Sequence, residues 1–156
     1  MFRQFQYEAE FYPSLNRIPL EVRLKLDITG IKISLKDWLA FAFAERVVLC
    51  HLPCESDEEK QAFTAYLDFL SLKYSGAPIG RTGELSSVLW HESVVPPAVR
   101  EKSGGTGQVV TPHEWLGWNF HERYALYKTA TSQSQPEAFS GVLEQLRAEK
   151  NLTAGS

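Results

Sequence analysis

Apolar residues near the start of the chain follow two competing periods. From Leu20 to Ile28 they alternate with charged residues, a pattern that taken alone is typical of a strand. The same stretch places Ile18, Val22 and Leu26 four residues apart, on one face of a helix. This segment alone therefore does not decide between a strand and a helix.

The stretch occurs twice in the chain, and the second copy settles the choice. Residues 18–52 align without a gap on residues 95–129, 77 positions later, with twelve identities in 35 positions. In the second copy the alternation is lost, and Pro96-Pro97 precedes a run typical of a helix start. We therefore predict an internal duplication in which each copy begins with a short helix.

Both copies continue with the same local signals. The first helix ends at glycine, at Gly30 in one copy and at Gly104, Gly105 and Gly107 in the other, where a positive φ costs little. Short extended segments at residues 31–33 and 108–110 follow, and these two segments are candidates to pair with each other. Ser34 and Thr111 then carry the N-cap hydroxyl of a second helix, with a carboxylate three residues later.

These patterns predict a mainly α protein in which residues 1–156 form a single compact domain. It contains two tandem helical pseudo-repeats, each with a helix, a turn, a short strand and two helices, and the strands allow a minor two-stranded β element. We place the first pseudo-repeat at residues 14–74 and the second at 93–150. The glycine- and proline-bearing residues 75–92 are interpreted as the linker.

Residues that both copies share are best explained by the needs of the fold. A tryptophan follows each capped helix start, and burying an aromatic side chain of this size removes on the order of 150–250 Å² from water. The Glu-Arg pair that both copies share, Glu45-Arg46 and Glu122-Arg123, is interpreted as capping and stacking or ion-pair residues. The predicted structural anchors of the repeat are Trp38, Trp115, Arg46, Arg123, Gly30 and Gly107.

Residues found in one copy only are better candidates for contact with a partner. His113-Glu114 and His121-Glu122 superficially resemble a zinc-peptidase motif, but their histidines are eight residues apart instead of four. Lys36 and Ala44 occupy the aligned positions, so the fold does not require imidazole there. We interpret His113 and His121 as exposed first-turn residues that form a partner-binding surface with Trp118, which replaces Phe41.

Cys50, His51 and Cys54 are the other group with ligand chemistry. Three local ligands do not complete a tetrahedral zinc site, so we predict no metal and no cofactor, and a buried inert thiol is the favoured interpretation of Cys50. Metal binding by the two cysteines remains the alternative. Phosphate-loop, dinucleotide-binding and nucleophile-elbow motifs are all missing from the sequence, so we predict a protein without catalytic activity.

Composition narrows the choice of partners. The formal net charge of -3 and pI near 5.8 disfavour nucleic acid and anionic membranes. No apolar run approaches the roughly 20 residues of a transmembrane helix, and the N-terminus lacks signal-peptide character. Two nearby cysteines without a disulfide framework suit a reducing cytoplasm, where we expect the protein.

A family resemblance adds a functional expectation. The run from Phe11 through IPLEVRLKLDITGIKISLKDWLAF, the later LPCESDEE, LWHESVVPPAVREK and HEWLGW resemble the cyanobacterial nitrate reductase-associated proteins. The resemblance implies an accessory protein that binds the molybdenum-dependent assimilatory nitrate reductase and supports its maturation, cofactor loading or stability. It supplies no catalytic residues. The alternative is a small-ligand sensor binding between the two repeats, and the sequence leaves homodimer formation open.

Overall fold

The structure, a computed structural model, describes residues 3–132 and 137–154, with the side chains of 153 and 154 excepted. The chain divides into two compact units. The first contains the residues up to Ser86 except Phe5–Tyr7, and the second contains Phe5–Tyr7 and the residues from Ser87 onward. The prediction of a mainly helical protein with a small two-stranded sheet is confirmed.

The first unit holds four helices and two short strands. In chain order they are α1 (Leu20–Thr29), β1 (Ile31–Lys32), α2 (Leu35–Ala40), α3 (Phe43–His51), α4 (Asp57–Ser75) and β2 (Gly80–Arg81). The described part of the second unit holds α5 (Pro97–Gly104), α6 (Pro112–Leu116), α7 (Phe120–Thr131) and α8 (Ala138–Ala154). Short 3₁₀ turns lie at Gln6–Glu8 and Ser87–Leu89.

The helix predicted for the ambiguous first segment is confirmed as α1. Pro19 at its N-cap offers no side-chain acceptor, and the buried carboxylate of Glu8 takes that place by accepting the backbone N–H of Leu20 at 2.9 Å. The same carboxylate accepts a hydrogen bond from the Tyr12 hydroxyl. Gly30 ends the helix in the left-handed region.

The predicted pairing of the two extended pieces is wrong. β1 pairs antiparallel with β2, with Ile31 opposite Arg81 and Lys32 opposite Gly80. The short strand predicted at residues 108–110 is also wrong, because that segment is irregular. A physical reason is visible there, since the Ser103 hydroxyl accepts the Val110 N–H at 2.9 Å and takes a donor that a strand ladder would need.

The predicted helix starts at Ser34 and Thr111 are confirmed. Ser34 Oγ accepts the Asp37 N–H at 3.0 Å, and Thr111 Oγ1 accepts the Glu114 N–H at 3.1 Å. α4 begins with a capping box at Ser56. The second pseudo-repeat was expected to end at residue 150, but α8 continues to Ala154.

Each unit has its own buried apolar residues. The first packs Val22, Trp38, Leu49, Phe63, Leu67 and Leu70, and the second buries Trp90, Val99, Trp115, Leu126, Phe139, Val142, Leu143 and Leu146. Residues 75–92, interpreted from the sequence as a linker, include β2, the buried Ile79 and the buried Trp90. The Thr82 N–H also donates to the Gly30 carbonyl at 2.7 Å, so this stretch contributes structure to the first unit.

Across the described residues, none of the helices combines the length and the apolar character required to cross a bilayer.

Candidate functional site

Trp38 is the centre of a hydrogen-bonded junction in the first unit. Its fully buried indole donates from Nε1 to the Leu15 carbonyl at 2.6 Å. Arg46 donates from Nε to the Trp38 carbonyl at 3.0 Å and from its guanidinium to the Leu39 carbonyl at 2.9 Å. These carbonyls lie in the last turn of α2, where intrahelical donors run out, although the Trp38 carbonyl also accepts the Phe41 N–H at 3.2 Å. The side chain of Arg46 therefore completes α2.

Trp115 has the same surroundings in the second unit. Its buried indole donates to the Glu92 carbonyl at 2.9 Å, and Arg123 donates to the carbonyls of Trp115 at 3.1 Å and Leu116 at 3.3 Å. The Arg123 guanidinium also lies 5.8 Å from the Trp115 ring centroid. Every donor and acceptor here is the residue 77 positions after its counterpart in the first unit. These tryptophans and arginines are occupied in holding each unit together.

The two predicted glycine anchors differ in what they require. Gly30 has a φ of 71°, and a Cβ added there would lie 2.7 Å from the Thr82 carbonyl oxygen. Gly107 has a φ of 92°, but an added Cβ would meet nothing within 4 Å. Backbone conformation favours glycine at both positions, whereas close backbone approach requires it at Gly30 alone.

Lys25 forms a buried polar centre that the sequence pattern did not single out. The residue is 6 % exposed, and its ammonium donates to the carbonyls of Leu49 at 3.0 Å and Cys50 at 2.9 Å, near the end of α3. It also lies 6.0 Å from the centroid of the Phe63 ring. Burial lowers the pKa of Lys25, and the nearby Glu21 carboxylate and cysteine thiols offset this only in part. The position of the ammonium suits the negative end of the helix dipole.

Cys50 and Cys54 are both buried and unpaired as free thiols. Burial raises the pKa of Cys50 to about 12 and that of Cys54 to about 11, despite the nearby charge of Lys25. A reactive or ligating cysteine needs the opposite shift, because the thiolate is the active form. Within the described residues, no group of three or more histidine, cysteine or carboxylate side chains is placed to hold a metal ion.

The second unit carries a surface groove of about 580 Å³ beside α6 and α8. Its lining residues are Gln108, Thr111, His113, Glu114, Gly117, Trp118, Arg147, Lys150 and Asn151. Arg147 binds Glu114 through two hydrogen bonds, at 2.7 and 3.0 Å, and donates to the Gln108 carbonyl at 3.1 Å. This bidentate pair fixes the wall of the groove.

The structure brings together two of the three predicted contact residues. His113 is exposed, and it lines the groove with Trp118. Trp118 is only 2 % exposed and packs edge-on against Trp115, so it forms part of the floor and not an exposed platform. The Nε1 of Trp118 has no hydrogen-bond partner among the described residues.

His121 departs from the prediction. It does not line the groove, and it is half-buried with its ring 5.5 Å from that of Phe120. The expectation of an exposed histidine in the first turn of α7 is therefore wrong. Its place on the helix brings the imidazole toward neighbouring aromatic groups, which a motif-based interpretation does not foresee.

A second aromatic cluster surrounds Trp90 in the second unit. Its ring lies 5.6 Å from Phe120, 5.0 Å from Tyr124 and 5.8 Å from Tyr127. The sequence signal that could have identified it is the aromatic spacing of three and four residues along α7. The unpartnered Trp90 Nε1 is enclosed by this cluster and does not line the groove.

Comparison with known proteins places this arrangement in a family. The family model described as conserved nitrate reductase-associated protein matches residues 4–146. No curated protein and no solved structure matches the chain.

Proposed function

The chain belongs to the conserved nitrate reductase-associated protein family, and we propose that it is a non-catalytic accessory protein of the molybdenum-dependent nitrate reductase. In this role it binds the reductase and supports its maturation, cofactor loading or stability. The observation that carries the proposal is the family match, which extends through both units. A direct contact between the two proteins is the simplest mechanism for such an association.

The groove of the second unit is the contact surface that we propose. Glu114 neutralises Arg147, so the exposed Lys150 determines the charge of the remaining lining, beside the polar ring of His113. The floor at Trp118 is apolar. A partner segment with an apolar residue and a neighbouring carboxylate complements this surface, because opposite charges at the rim of an interface accelerate and orient association.

Two features support a role without catalysis. The raised pKa values of Cys50 and Cys54 disfavour the thiolate that nucleophilic catalysis requires. In addition, the described groups whose pKa is shifted lie outside the groove. These groups are Lys25, Glu45, Cys50, Cys54, Glu59, Tyr66 and Lys73. Perturbed pKa values concentrated in a pocket are the usual mark of an active site.

Biolayer interferometry between the purified chain and purified nitrate reductase tests the proposal. We expect binding at low salt that weakens about tenfold, equivalent to roughly 1.4 kcal/mol, in Lys150→Glu. His113→Ala should weaken binding less. Lys102→Glu is the matched control, because Lys102 is an exposed lysine of the same unit outside the groove, and it should bind as the wild type.

The results of this binding experiment test the accessory role and the proposed contact surface separately. No binding to nitrate reductase at low salt would contradict the accessory role. Binding that survives Lys150→Glu and His113→Ala unchanged would retain the role but exclude the groove as the contact surface.

A small-ligand sensor is the second candidate, and the groove favours it by one observation. Ligand pockets occupy about 300–1,000 Å³ and carry few, well-placed polar groups. The groove has a suitable volume, and Trp118 in its lining has a buried indole N–H without a hydrogen-bond partner among the described residues. A rise in melting temperature with nitrate, nitrite or a pterin, lost in Trp118→Phe, is the expected result. Unchanged melting with all three ligands would exclude this candidate.

A further inference from the structure

The outer face of α4 carries an apolar stripe that is exposed to solvent, and Phe69 in it stacks on Tyr66 of the same helix with ring centroids 6.4 Å apart. Ala62, Ala65, Phe69 and Leu72 follow one another at alternating spacings of three and four residues and are all exposed. Phe69 is 57 % and Leu72 55 % exposed. The opposite face, with Phe63, Leu67 and Leu70, is fully buried in the core. α4 is therefore apolar on two faces, and one of them is unused.

The long helix of the second unit has no such stripe. The exposed positions of α8 up to residue 150 are Glu144, Ala148 and Lys150, and Arg147 is bound to Glu114. Among the described side chains of α8, the one exposed large apolar residue is Leu152, near the end of the helix. The stripe is thus a particular feature of α4 and not a general property of the long helices.

The spacing of the stripe is that of a helix-pairing seam. Apolar residues that recur every three and then four residues face a partner helix along their whole length. In an antiparallel pair of identical helices, Ala62 of one copy lies opposite Leu72 of the other, and Ala65 lies opposite Phe69. Each layer then combines a small with a large side chain, the arrangement that lets facing residues interdigitate.

The charges of α4 are complementary in the same arrangement. Its first turn carries Asp57, Glu58 and Glu59, and its last turn carries Lys73. Antiparallel pairing places the acidic end of each helix beside the basic end of the other and also opposes the two helix dipoles. Lys73 binds Glu45 at 2.8 Å, but its side chain remains 48 % exposed. An ammonium has three N–H donors, so Lys73 can also contact Glu58 of a second copy.

We propose that the α4 stripe (Ala62, Ala65, Phe69 and Leu72) binds the same stripe of a second copy of this chain, forming an antiparallel, two-fold symmetric dimer. Such an interface is isologous, so one self-complementary surface is sufficient. A single helix pair lies at the small end of specific interfaces, below about 1,200 Å². The dimer therefore dissociates on dilution. The proposal does not depend on the function assigned to the groove.

Sedimentation velocity of the full chain over a wide dilution series tests the proposal. The wild type should shift from dimer to monomer on dilution, and Ala65→Glu should remain monomeric throughout because it places a carboxylate in the seam. Ala148→Glu introduces the same change at an exposed alanine of α8 and should dimerise as the wild type. Phe69→Ala is a second seam variant, and far-ultraviolet circular dichroism verifies that each variant is folded.

A charge swap identifies the orientation. Glu58→Lys and Lys73→Glu should each weaken the dimer, since each places like charges at both ends of the helix pair. An equimolar mixture of the two variants restores both attractive pairs and should dimerise again. A wild type that is monomeric at every concentration would overturn the proposal. A dimer that tolerates Ala65→Glu and Phe69→Ala, or a charge-swap mixture without recovery, would overturn it as well.

Discussion

High pH should destabilise the first unit through its two buried thiols. The pKa of Cys50 is raised from 9.0 to about 12 and that of Cys54 from 9.0 to about 11, with burial as the main cause. Because a folded-state pKa above the unfolded value favours the protonated folded form, this contribution to stability is complete below pH 9.0. It is lost as the pH rises through the folded-state values.

The magnitude follows from the two shifts. At about 1.4 kcal/mol for each pKa unit, Cys50 contributes at most about 4 kcal/mol and Cys54 at most about 3 kcal/mol. Proteins of this size unfold with a total of about 5–15 kcal/mol, so losing both contributions is a large fraction of the stability. Lys25 acts in the opposite direction, since its pKa is lowered from 10.5 and its penalty is relieved as the pH rises toward that value.

The assay compares urea unfolding of the wild type with Cys50→Ala, Cys54→Ala and the double variant from neutral to alkaline pH, in the presence of a reductant. The cavity left by alanine costs the same free energy at every pH. It therefore lowers the whole curve of unfolding free energy against pH without changing its slope. Above pH 9 the double variant should lose less stability than the wild type. Parallel curves, or thiolate absorbance that appears in the folded wild type at the ordinary thiol pKa, would refute the reasoning.

Two matched pairs of substitutions test aligned positions that hold the same residue in different surroundings. Lys25→Met should lower the free energy of unfolding by about 2–4 kcal/mol, because two buried carbonyls lose a charged donor. Lys102→Met, at the exposed aligned lysine, should change it by less than about 0.5 kcal/mol. Equal effects of the two variants in chemical denaturation would contradict the buried site. Gly30→Ala should cost about 2–4 kcal/mol because the new Cβ meets the Thr82 carbonyl, and Gly107→Ala about 1 kcal/mol for its backbone conformation alone. Similar melting temperatures for the two alanine variants would show that close approach at Gly30 is unimportant.

The helices were largely predictable because their signals are local. A hydroxyl at Ser34 or Thr111 and a carboxylate three residues later are enough to start a helix, whatever the rest of the chain does. The period of α1 was ambiguous, and the second copy resolved it by losing the alternation while keeping the four-residue stripe. Two versions of one segment thus supplied the information that a single version lacked.

The strand pairing was not predictable for a physical reason. A two-residue strand has too few hydrogen bonds to specify its partner, so β1 pairs wherever the chain returns within reach. At Gly80 an added Cβ would lie 3.0 Å from the Lys32 carbonyl oxygen, so a larger residue fits there only if the neighbouring strand shifts. Neither the length nor the composition of residues 75–92 contains this information.

The capping of α1 by Glu8 could not be predicted from the sequence for a related reason. The carboxylate and the N–H that it accepts are twelve residues apart, and an irregular turn brings them together. N-cap signatures identify acceptors that are adjacent to the helix start, but Pro19 occupies that position here. An acidic residue among the aromatic groups of residues 5–12 is a weak signal for such a cap.

Lys25 and Lys102 show how identical residues acquire different roles. Both lysines follow the same Val-Arg pair, but Lys25 is buried against the end of α3 and Lys102 is exposed. In the first unit Lys25 donates to the carbonyl of Cys50, a small residue, whereas Tyr127 fills the aligned place and packs against Trp90. The carbonyls of Leu126 and Tyr127, aligned with those that Lys25 binds, instead accept the hydroxyls of Thr129 at 3.3 Å and Thr131 at 3.0 Å. The surroundings in the fold, and not the residue type, therefore determine the role of each lysine.

The same reasoning locates the surfaces that are available for binding. Trp38 and Trp115, which both copies share, are buried and packed within their own units, so they have little capacity left for a partner. The groove includes His113, which the first copy replaces with Lys36, and the α4 stripe lies outside the aligned residues altogether. Because divergence between copies frees positions from the needs of the fold, these two surfaces are where selection for binding can act. The proposed contact with nitrate reductase and the proposed self-association therefore use different surfaces, and variants of one surface should leave binding at the other intact.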